Sequence, residues 1–475
     1  MQTLNNRESY GWATVALHWL AAAGVIAMLW TGFNAGEAEE AHDRARHMQL
    51  MGLHISVGVA FFAIWTARIA GHYLQPQPVE AKGPALINFI ARATQNLLLL
   101  FLALQIISGP LMIWAHARPI QAFGFAIALQ NLVWGIAQPL TGMIADRFGS
   151  RRVLIGGLLC YAVGLAAMSQ AESPAAFTLS AGLTVGVALS GTAFGVVYGA
   201  ISRLMPAARR SWALGVAGAI GGLGQFVLVP ASQGLIDGLG WSGALLALGL
   251  ACAVLLPCAI PLHDRPAVHA VRQSLAAALR EAFAHRGFLL LVAGFFACGF
   301  QLAFIASHLP AYLIDRGLTG NHAVAGLAII ALANVAGTYV CGWLGGFARS
   351  KQLLAGIYLL RAAAMAAFVL LPVSPASLYG FCAVIGFIWL GTVPLTSGIV
   401  SQVFGVQYIT TLFGFVFFGH QLGAFFGVWL GGYVFDATGS YTPLWLASIG
   451  LGVVAALLHW PIDDREIVRP AVAAS

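Results

Sequence analysis

Charged side chains are scarce in this chain of 475 residues: Asp, Glu, Lys and Arg make up 8% of it, whereas hydrophobic residues make up 60%. A soluble domain carries about 25% charged residues, so a large soluble fold is excluded. Apolar runs of roughly 20 residues recur instead along the chain, and each could cross a bilayer as a helix. The sequence therefore predicts an all-α, polytopic membrane protein that has the lipid bilayer as its first partner.

The motifs of soluble chemistry are also missing. The six cysteines lie in apolar runs and form no CxxC pair, which argues against zinc and thioredoxin-type sites, and the lack of CxxCH argues against covalently attached haem. There is no GxSxG, HExxH or P-loop pattern, and no basic tract with interleaved aromatic residues. We therefore expect neither an enzyme nor a nucleic-acid partner. The N-terminus lacks a cleavable signal pattern, so the first apolar run is expected to be an anchor.

Fourteen apolar runs are predicted to cross the membrane. Three come early, over residues 12–33, 50–71 and 90–114. Eleven follow, over residues 123–143, 153–171, 176–200, 212–233, 241–262, 287–313, 322–345, 352–372, 377–400, 408–432 and 441–460.

Basic residues cluster in four connecting segments, 147–152, 203–210, 263–286 and 349–351. All four fall on one side if every run crosses once, and the positive-inside rule assigns that side to the cytoplasm. Both termini are then cytoplasmic, and the acidic loop 37–47 faces outward.

The last 350 or so residues contain an internal repeat. GGLGQFVLVPASQGLIDGLG from Gly221 aligns with HQLGAFFGVWLGGYVFDATG from His420 at an offset of 199, since 436 − 237 = 199. The same offset places Arg152 on Lys351. Two homologous halves are a known architecture of transporters, although glycine-rich apolar helices can also resemble one another by chance.

GMIADRFGSRRV at 142–153 closely resembles the signature loop between the second and third helices of the major facilitator superfamily. The matching residues are Gly142, Asp146, Arg147, Gly149, Arg151 and Arg152. The resemblance covers about residues 123–465, with a weaker copy, GWLGGFARSKQLL, at 342–354 that lacks the acid. It implies alternating access by two bundles around a central site, with the Asp–Arg charges as a breakable network at the cytoplasmic gate.

RLMPAARRSWALGVAGAIGGLGQF and FFGHQLGAFFGVWLGG look most like the monocarboxylate and organic-anion porters of that superfamily. Polar residues inside the membrane are candidates for function. Arg361 could hold a substrate carboxylate through two parallel hydrogen bonds, or it could be a structurally paired arginine. His420, beside Gln421, could titrate during proton-coupled transport, or the two could be a packing pair. Weaker candidates, which could simply bond a neighbouring helix, are Gln225, Gln301, His308 and Asn334.

The first three runs resemble the bacterial di-haem cytochromes of the b561 type, through YGWATVALHWL at 10–20, GLHISVGVAFFAIWTARI at 52–69 and ISGPLMIWAHARPIQAFGF at 107–125. In that family the first two helices each supply a haem ligand, at the positions of His18 and His54 here. Their depths place them near opposite faces of the membrane. Each needs a partner from the family's fourth helix, which is missing, so haem b is expected only if substitutes such as His47 or His116 serve.

The transporter has lost its first helix and the cytochrome its fourth, which indicates a fusion near Phe123–Ala128. The repeat offset brings residue 88 (287 − 199 = 88) into register with the first helix of the second half. The third cytochrome helix therefore takes the place of the missing transporter helix. The predicted parts are 1–122 (truncated cytochrome), 123–262 (five-span bundle), 263–286 (cytoplasmic linker) and 287–475 (six-span bundle).

Three functions remain open at this point. The first is transport of a small solute, expected to be an organic anion such as a monocarboxylate, across a bacterial inner membrane. The second is electron transfer, or redox-coupled transport, by a membrane cytochrome. The third is a nonfunctional fusion. The eleven transporter helices, the repeat and the gate loop favour transport, which needs no cofactor. The sequence indicates no oligomeric state.

Overall fold

The computed structural model describes residues 9–41, 43, 46–47, 49–51, 53–54, 57–58, 61, 64, 119–262, 264 and 273–467. Over these residues the chain is helical and contains no β-strand, which confirms the predicted all-α class. An α-helix satisfies its interior backbone polar groups within one segment, as hydrocarbon surroundings require. The chain divides into two compact units, Met1–His116 and Ala117–Ser475.

The first unit contains a long helix, α1, from Trp12 to Glu40. It includes the predicted span 12–33 and continues through the start of the acidic segment that was expected to be a loop. Alanine and glutamate both have high helix propensity, so the helix extends beyond its most apolar part. Of the other early spans, 50–71 is described only in part and 90–114 lies outside the described residues.

The second unit contains the remaining described helices. They are α2 Pro119–Phe148, α3 Ser150–Ser169, α4 Pro174–Leu204, α5 Ala207–Val254, α6 Leu256–Ala259, α7 Leu275–Ala284, α8 Arg286–Asp315, α9 Gly320–Leu344, α10 Ser350–Leu370, α11 Pro375–Phe387, α12 Thr392–Phe404, α13 Ile409–Thr438 and α14 Thr442–His459.

Ten helices of the described chain are long and apolar enough to cross a membrane. One of them runs through α5 and α6, but Gly240 interrupts α5 with φ 69° and ψ 171°. This positive φ favours glycine, and it separates the two spans predicted at 212–233 and 241–262. Helix α2 is not among the ten, although its 30 residues are long enough to cross.

The predicted linker 263–286 contains a helix that sequence reasoning did not assign. Helix α7 begins after Ser274, whose hydroxyl accepts a hydrogen bond from the Ala277 N–H. This is an N-cap, which satisfies one of the free donors of the first turn. Ala278 and Ala282 are buried, so one face of α7 packs against the bundle.

The second unit consists of two halves, residues 119–264 and 273–467, that pack through α2 against α13 and α5 against α9. Glycines set the separation of both pairs. A Cβ on Gly142 would lie 2.6 Å from the Thr410 carbonyl oxygen, and one on Gly215 would lie 2.7 Å from the Gly342 Cα. Small residues allow such close approach of membrane helices.

Candidate functional site

Asp146 joins the two halves at what we call the basic end, the end of the second unit that carries the α2–α3, α4–α5 and α12–α13 connections. Its carboxylate accepts hydrogen bonds from Arg203 Nη1 at 2.7 Å and from the Thr411 hydroxyl at 2.7 Å. It also accepts bonds from the backbone N–H groups of Thr410 at 3.2 Å and Thr411 at 2.7 Å. These N–H groups open α13, and the start of a helix favours a carboxylate.

Arg203 connects this contact to a second buried acid. Its Nη2 donates to Asp264 Oδ2 at 2.6 Å and to the Ser150 hydroxyl at 2.8 Å. Asp264 Oδ1 accepts from the Ser150 N–H at 2.9 Å, at the start of α3. All three charged side chains are at most 2% exposed. The network therefore ties α2, α3 and α4 together and presents one carboxylate to the opposite half.

The other signature-loop residues shape the connection itself. Gly149 has φ 88°, which favours glycine. The guanidinium groups of Arg147 and Arg152 lie 5.1 Å and 5.8 Å from the centre of the Phe148 ring. Arg151 Nη1 donates to the Ile260 carbonyl at 3.5 Å. Within the motif, Asp146 and Gly142 are in contact with the other half.

Sequence reasoning used Arg203 only as an orientation charge and did not select Asp264, Thr410 or Thr411. The internal repeat contained a signal for Asp264. Because 264 + 199 = 463, Asp264 corresponds to the Asp463–Asp464 pair after the last helix. The two threonines have no comparable signal, since only the folded chain brings the start of α13 to the end of α2.

The second half repeats part of this arrangement without its central charges. The positions equivalent to Asp146 and Arg203 are Gly345 (146 + 199 = 345) and Gln402 (203 + 199 = 402). Arg349 Nη2 donates to Asp464 Oδ1 at 2.6 Å. Burial raises the pKa of Asp464, but the hydrogen bonds and charge of Arg349 outweigh it and leave the pKa below the ordinary value.

The segments α4 and α11–α12 are equivalent under the offset of 199, and both are broken at equivalent positions. Helix α4 is interrupted at Ala193, where ψ is 176°, and α11 is separated from α12 by residues 388–391. In the first half the Ser190 carbonyl accepts bonds from Gln138 at 3.1 Å and Thr141 at 3.0 Å. The equivalent carbonyl in the second half belongs to Trp389, since 389 − 190 = 199.

Arg361 of α10 donates hydrogen bonds to backbone carbonyls at the break between α11 and α12 in the second half. Its Nη2 donates to the carbonyls of Ile388 at 2.6 Å and Trp389 at 2.5 Å, and its Nη1 donates to Cys298 Sγ at 3.1 Å. The side chain is fully buried, and Nε has no hydrogen-bond partner among the described residues. Arg361 thus combines a structural contact with a positive charge in the bundle interior.

Asn334 of α9 supports the same break from another side. Its Oδ1 accepts from the Leu390 N–H at 3.1 Å and from the Thr338 hydroxyl at 2.8 Å. Its Nδ2 has no described partner and lies 2.8 Å from where a Cβ on Gly222 would be. Asn334 therefore lies at the contact between α9 and α5, and hence between the halves.

His420 and Gln421 lie together where α13 meets α2. His420 Nδ1 is 2.7 Å from Gln421 Oε1, and Gln421 Nε2 donates to Asn131 Oδ1 in the other half at 3.0 Å. The imidazole stacks on Phe417, with ring centres 5.1 Å apart, and lies 4.8 Å from the Phe295 ring. The hydrogen bond from Gln421 to Asn131 therefore links the two halves, next to an imidazole that packs on aromatic rings.

The other three of the four weaker candidates have different partners. Gln301 Nε2 donates to the Ser448 carbonyl at 2.8 Å and is fully buried. His308 Nε2 is 2.9 Å from the Val428 carbonyl. Gln225 is exposed. The structure therefore places Arg361 and Asn334 on the same break at 388–391 and pairs His420 with Gln421, whereas Gln301 and His308 bond other helices.

The predicted haem ligands of the first unit lie far apart. His18 is exposed on α1, whereas His54 Nδ1 is 2.8 Å from the hydroxyl of Thr31, further along the same helix. Thirteen residues separate His18 from Thr31 (31 − 18 = 13), which is about 20 Å along a helix. His47 Nδ1 is bonded to the Ala35 carbonyl at 2.9 Å, one turn beyond Thr31.

Axial histidines must approach a haem iron from opposite faces. His47 and His54 instead lie side by side along α1, and the described residues contain no group of three or more His, Cys, Asp or Glu that could hold a metal. These residues alone do not fit a six-coordinate haem. His116, the other substitute ligand considered from the sequence, lies outside the described part of the chain.

The sequence model of the Major Facilitator Superfamily matches residues 85–428, which is 344 of the 475 residues (428 − 85 + 1 = 344). The chain belongs to this superfamily of membrane transporters, and it is not an enzyme. The model of the prokaryotic cytochrome b561 matches residues 9–150. The chain is thus a facilitator-type transporter joined to a b561-type segment, as the sequence indicated.

Curated relatives agree with this assignment. Monocarboxylate transporter 11 of Homo sapiens is 30% identical over 363 residues, which cover 72% of this chain and 75% of the relative. The uncharacterized MFS-type transporter YcxA of Bacillus subtilis is 24% identical, and the match covers 72% of this chain and 86% of the relative.

Solved structures share the fold. The transporter FucP, in the outward conformation, has a TM-score of 0.57 at 18% identity, with 72% of this chain and 90% of that chain covered. The proton:xylose symporter XylE has a TM-score of 0.56 at 15% identity, and the match covers 72% of this chain and 85% of that chain.

Proposed function

We propose that the chain transports a small organic anion, such as a monocarboxylate, by alternating access across a bacterial inner membrane. The observation that carries the proposal is the Asp146 network. It joins two repeated halves through contacts that can break without unfolding either half. Rocking of two repeats about a central site requires a reversible contact of this kind.

Opening of the basic end would separate Asp146 from α13 while Arg203 and Asp264 stay together in the first half. The carboxylate would then keep its arginine partner but lose three donors of Thr410 and Thr411. Hydrogen bonds to a charged group contribute about 1.5–3 kcal/mol each. These bonds therefore stabilise the closed form by a free energy that ligand binding can offset. Positive loops at this end support its assignment to the cytoplasm.

The charge distribution of the interior supports an anionic substrate. The described acids of the second unit lie near helix ends or in connections, as at Asp146, Asp237, Asp315 and Asp436. Arg361 instead lies well inside α10, fully buried. A buried cation without a nearby carboxylate attracts an anion and repels a cation. The name of the human relative, a monocarboxylate transporter, supports the same substrate class.

The roles proposed for individual residues follow their positions. Arg361 would attract the substrate carboxylate. His420 and Gln421 would respond to the bound substrate at the contact between the halves. Asn334 would donate a hydrogen bond from its side-chain NH₂ group. Gly142, Asp146 and the arginines of the signature loop would form the gate. Gln225, Gln301 and His308 would contribute less, since they lie apart from this group.

Uptake of radiolabelled lactate into proteoliposomes tests the proposal. We expect saturable uptake by the wild-type protein that falls about tenfold or more in Arg361→Gln, since that substitution removes the interior charge. Gln225→Ala is the matched control and should keep wild-type uptake. Absence of uptake across a panel of monocarboxylates, by protein that is folded in detergent, would contradict the proposal and favour a nonfunctional fusion.

A further inference from the structure

One face of α14 carries polar side chains into the interior of the second half. Trp445, Ser448 and His459 follow one another at spacings of 3 and 11 residues (448 − 445 and 459 − 448), which places them on the same side of a helix. All three are at most 1% exposed. The Ser448 carbonyl accepts from Gln301 Nε2 of α8 at 2.8 Å, and the His459 ring stacks on Tyr358 of α10 with ring centres 4.9 Å apart. Polar groups of three helices therefore meet within the second half.

Four side-chain atoms of this group are buried without a hydrogen-bond partner among the described residues: Trp445 Nε1, Ser448 Oγ, Gln301 Oε1 and His459 Nε2. Gln301 Nε2 donates to the Ser448 carbonyl, which leaves Oε1 as an acceptor. His459 Nδ1 donates to the Ala455 carbonyl at 2.7 Å, which leaves Nε2 of a neutral ring as an acceptor. Trp445 Nε1 only donates, and the Ser448 hydroxyl can do both. Donors and acceptors are thus both present, but these four atoms do not bond one another.

The buried charge of Arg361 adjoins the same group. The guanidinium carbon lies 5.5 Å from the centre of the Tyr358 ring, which is the ring that stacks on His459. Arg361 Nε also has no hydrogen-bond partner among the described residues. A charged side chain inside a membrane protein usually faces a partner or a water-filled space. The surroundings of Arg361 on this side therefore have donors and acceptors to complete.

The first half forms the equivalent helices without these polar side chains. Under the offset of 199 (for example, 448 − 199 = 249), the positions of Gln301, Tyr358, Arg361, Trp445, Ser448 and His459 correspond to Leu102, Leu159, Ala162, Leu246, Gly249 and Ile260. Gly249 packs directly on α3, where an added Cβ would lie 3.2 Å from the Ala162 carbonyl oxygen. The fold of a half therefore does not require the polar group, and its presence in the second half needs a separate explanation.

We propose that a group of bound water molecules occupies the interior of the second half between α8, α10 and α14, and completes the hydrogen bonds of Gln301, Ser448 and His459. A buried water makes two to four hydrogen bonds and both donates and accepts, so one molecule can join the Ser448 hydroxyl to Gln301 Oε1. Such water gives the second half, but not the first, a polar interior beside Arg361. The inference does not depend on which solute is transported.

Hydroxyl-radical footprinting of the full-length protein in detergent tests the proposal. X-ray radiolysis produces radicals from bound water as well as from bulk water, so a buried side chain beside bound water is oxidised. Peptide mass spectrometry measures each oxidation rate, which is divided by the rate of the same residue in denatured protein. We expect this ratio to be about fivefold higher for Trp445 and Tyr358 than for Phe288, which is 1% exposed and packs on the rings of Phe283 and Phe404.

The double variant Gln301→Leu/Ser448→Ala gives the site the apolar character of the first half. It should lower the ratio at Trp445 about threefold or more, because the water loses two of its partners. Cys382→Ala on α11 is the control, since Cys382 is equally buried, and it should leave the ratio unchanged.

The proposal is overturned if Trp445 and Tyr358 are as protected as Phe288 in the wild type. It is also overturned if the folded double variant keeps the wild-type ratio at Trp445, because the radicals would then come from bulk solvent. If the double variant does not fold, the comparison with Phe288 in the wild-type protein decides the question by itself.

Discussion

At the scale of single residues, Asp146 distinguishes the two halves of the repeat. The first half places a carboxylate against the start of α13, whereas the equivalent position of the second half is Gly345. The second contact between the halves, α5 against α9, therefore depends on glycine packing and on neutral bonds such as Ser211 Oγ to the Gly342 carbonyl at 2.8 Å. The charged contacts between the halves at the basic end come from Asp146 and from Arg203, whose Nη1 also donates to the Thr410 hydroxyl at 2.9 Å.

Asp146→Asn should open the basic end more often. An amide keeps the shape of the carboxylate, but its neutral oxygen accepts more weakly from the Thr410 and Thr411 donors of α13 and its NH₂ group accepts no bond, which we expect to cost the closed form about 2 kcal/mol. That corresponds to roughly a 30-fold increase in the open population. Ser202→Cys reports on it, because Ser202 is 1% exposed in the closed form. Maleimide labelling of this position, followed by peptide mass spectrometry, should be faster in the Asp146→Asn background.

Asp237→Asn serves as the control, since Asp237 accepts a hydrogen bond from Gln233 of the same helix at 2.9 Å and not from the other half among the described residues. It should leave the labelling rate unchanged. Equal rates in all three backgrounds would mean that Asp146 does not hold the basic end closed.

At the scale of helices, glycines decide how closely the halves approach. A Cβ on Gly142 would lie 2.6 Å from the Thr410 carbonyl oxygen and 2.8 Å from the Thr411 Cα. Both neighbours are backbone atoms, which cannot rotate away as a side chain can. A Cβ on Gly414 of α13 would likewise lie 2.9 Å from the Pro139 Cα of α2. The α2–α13 contact therefore has no room for a methyl group.

Gly142→Ala should lower the melting temperature of the solubilised protein, because α2 and α13 must move apart. Overpacking of this kind costs about 1–3 kcal/mol. Gly156→Ala on α3 is matched in secondary structure but has no atom within 4 Å of the added Cβ. It should be neutral, or stabilising by up to about 1 kcal/mol. A melting temperature that is the same in both variants would argue that the helices adjust without strain.

At the scale of the whole molecule, the chain combines sequence from two membrane-protein families, and their matches overlap over residues 85–150. The predicted junction at Phe123–Ala128 falls within this overlap and within helix α2, which is continuous from Pro119. The transporter match begins at residue 85, which agrees with the repeat register that brought residue 88 into line with the second half.

A reduced-minus-oxidised absorption spectrum of the purified protein, with haem quantified per chain, tests the cytochrome part. We expect no sharp band of bis-histidine haem b, since His54 contacts Thr31, about 20 Å along α1 from His18, and His47 contacts the same helix one turn beyond Thr31. A band at near-unit stoichiometry that is lost in His54→Ala would contradict this expectation. It would show that a residue outside the described part completes the iron site.

Hydrophobic run length was sufficient to predict most of the fold. Each of the eleven spans predicted after residue 122 coincides with a helical segment, because hydrocarbon leaves a helix as the simplest way to satisfy the backbone. The helix breaks at Ala193 and at 388–391 were not predicted. Uncharged segments pass through both breaks, and neighbouring helices supply the hydrogen bonds that make each break tolerable.

The sequence by itself determined the membrane class, the two halves at an offset of 199, the gate motif and the polar residues of the interior. The tertiary structure alone decided which of these meet. Arg203 pairs with Asp146 and Asp264, Asp146 accepts a hydrogen bond from Thr411, and Arg361 donates to Cys298. Run length and motif spacing are local properties of the chain. Contacts between residues more than 50 positions apart depend on how the helices pack, which periodicity does not encode.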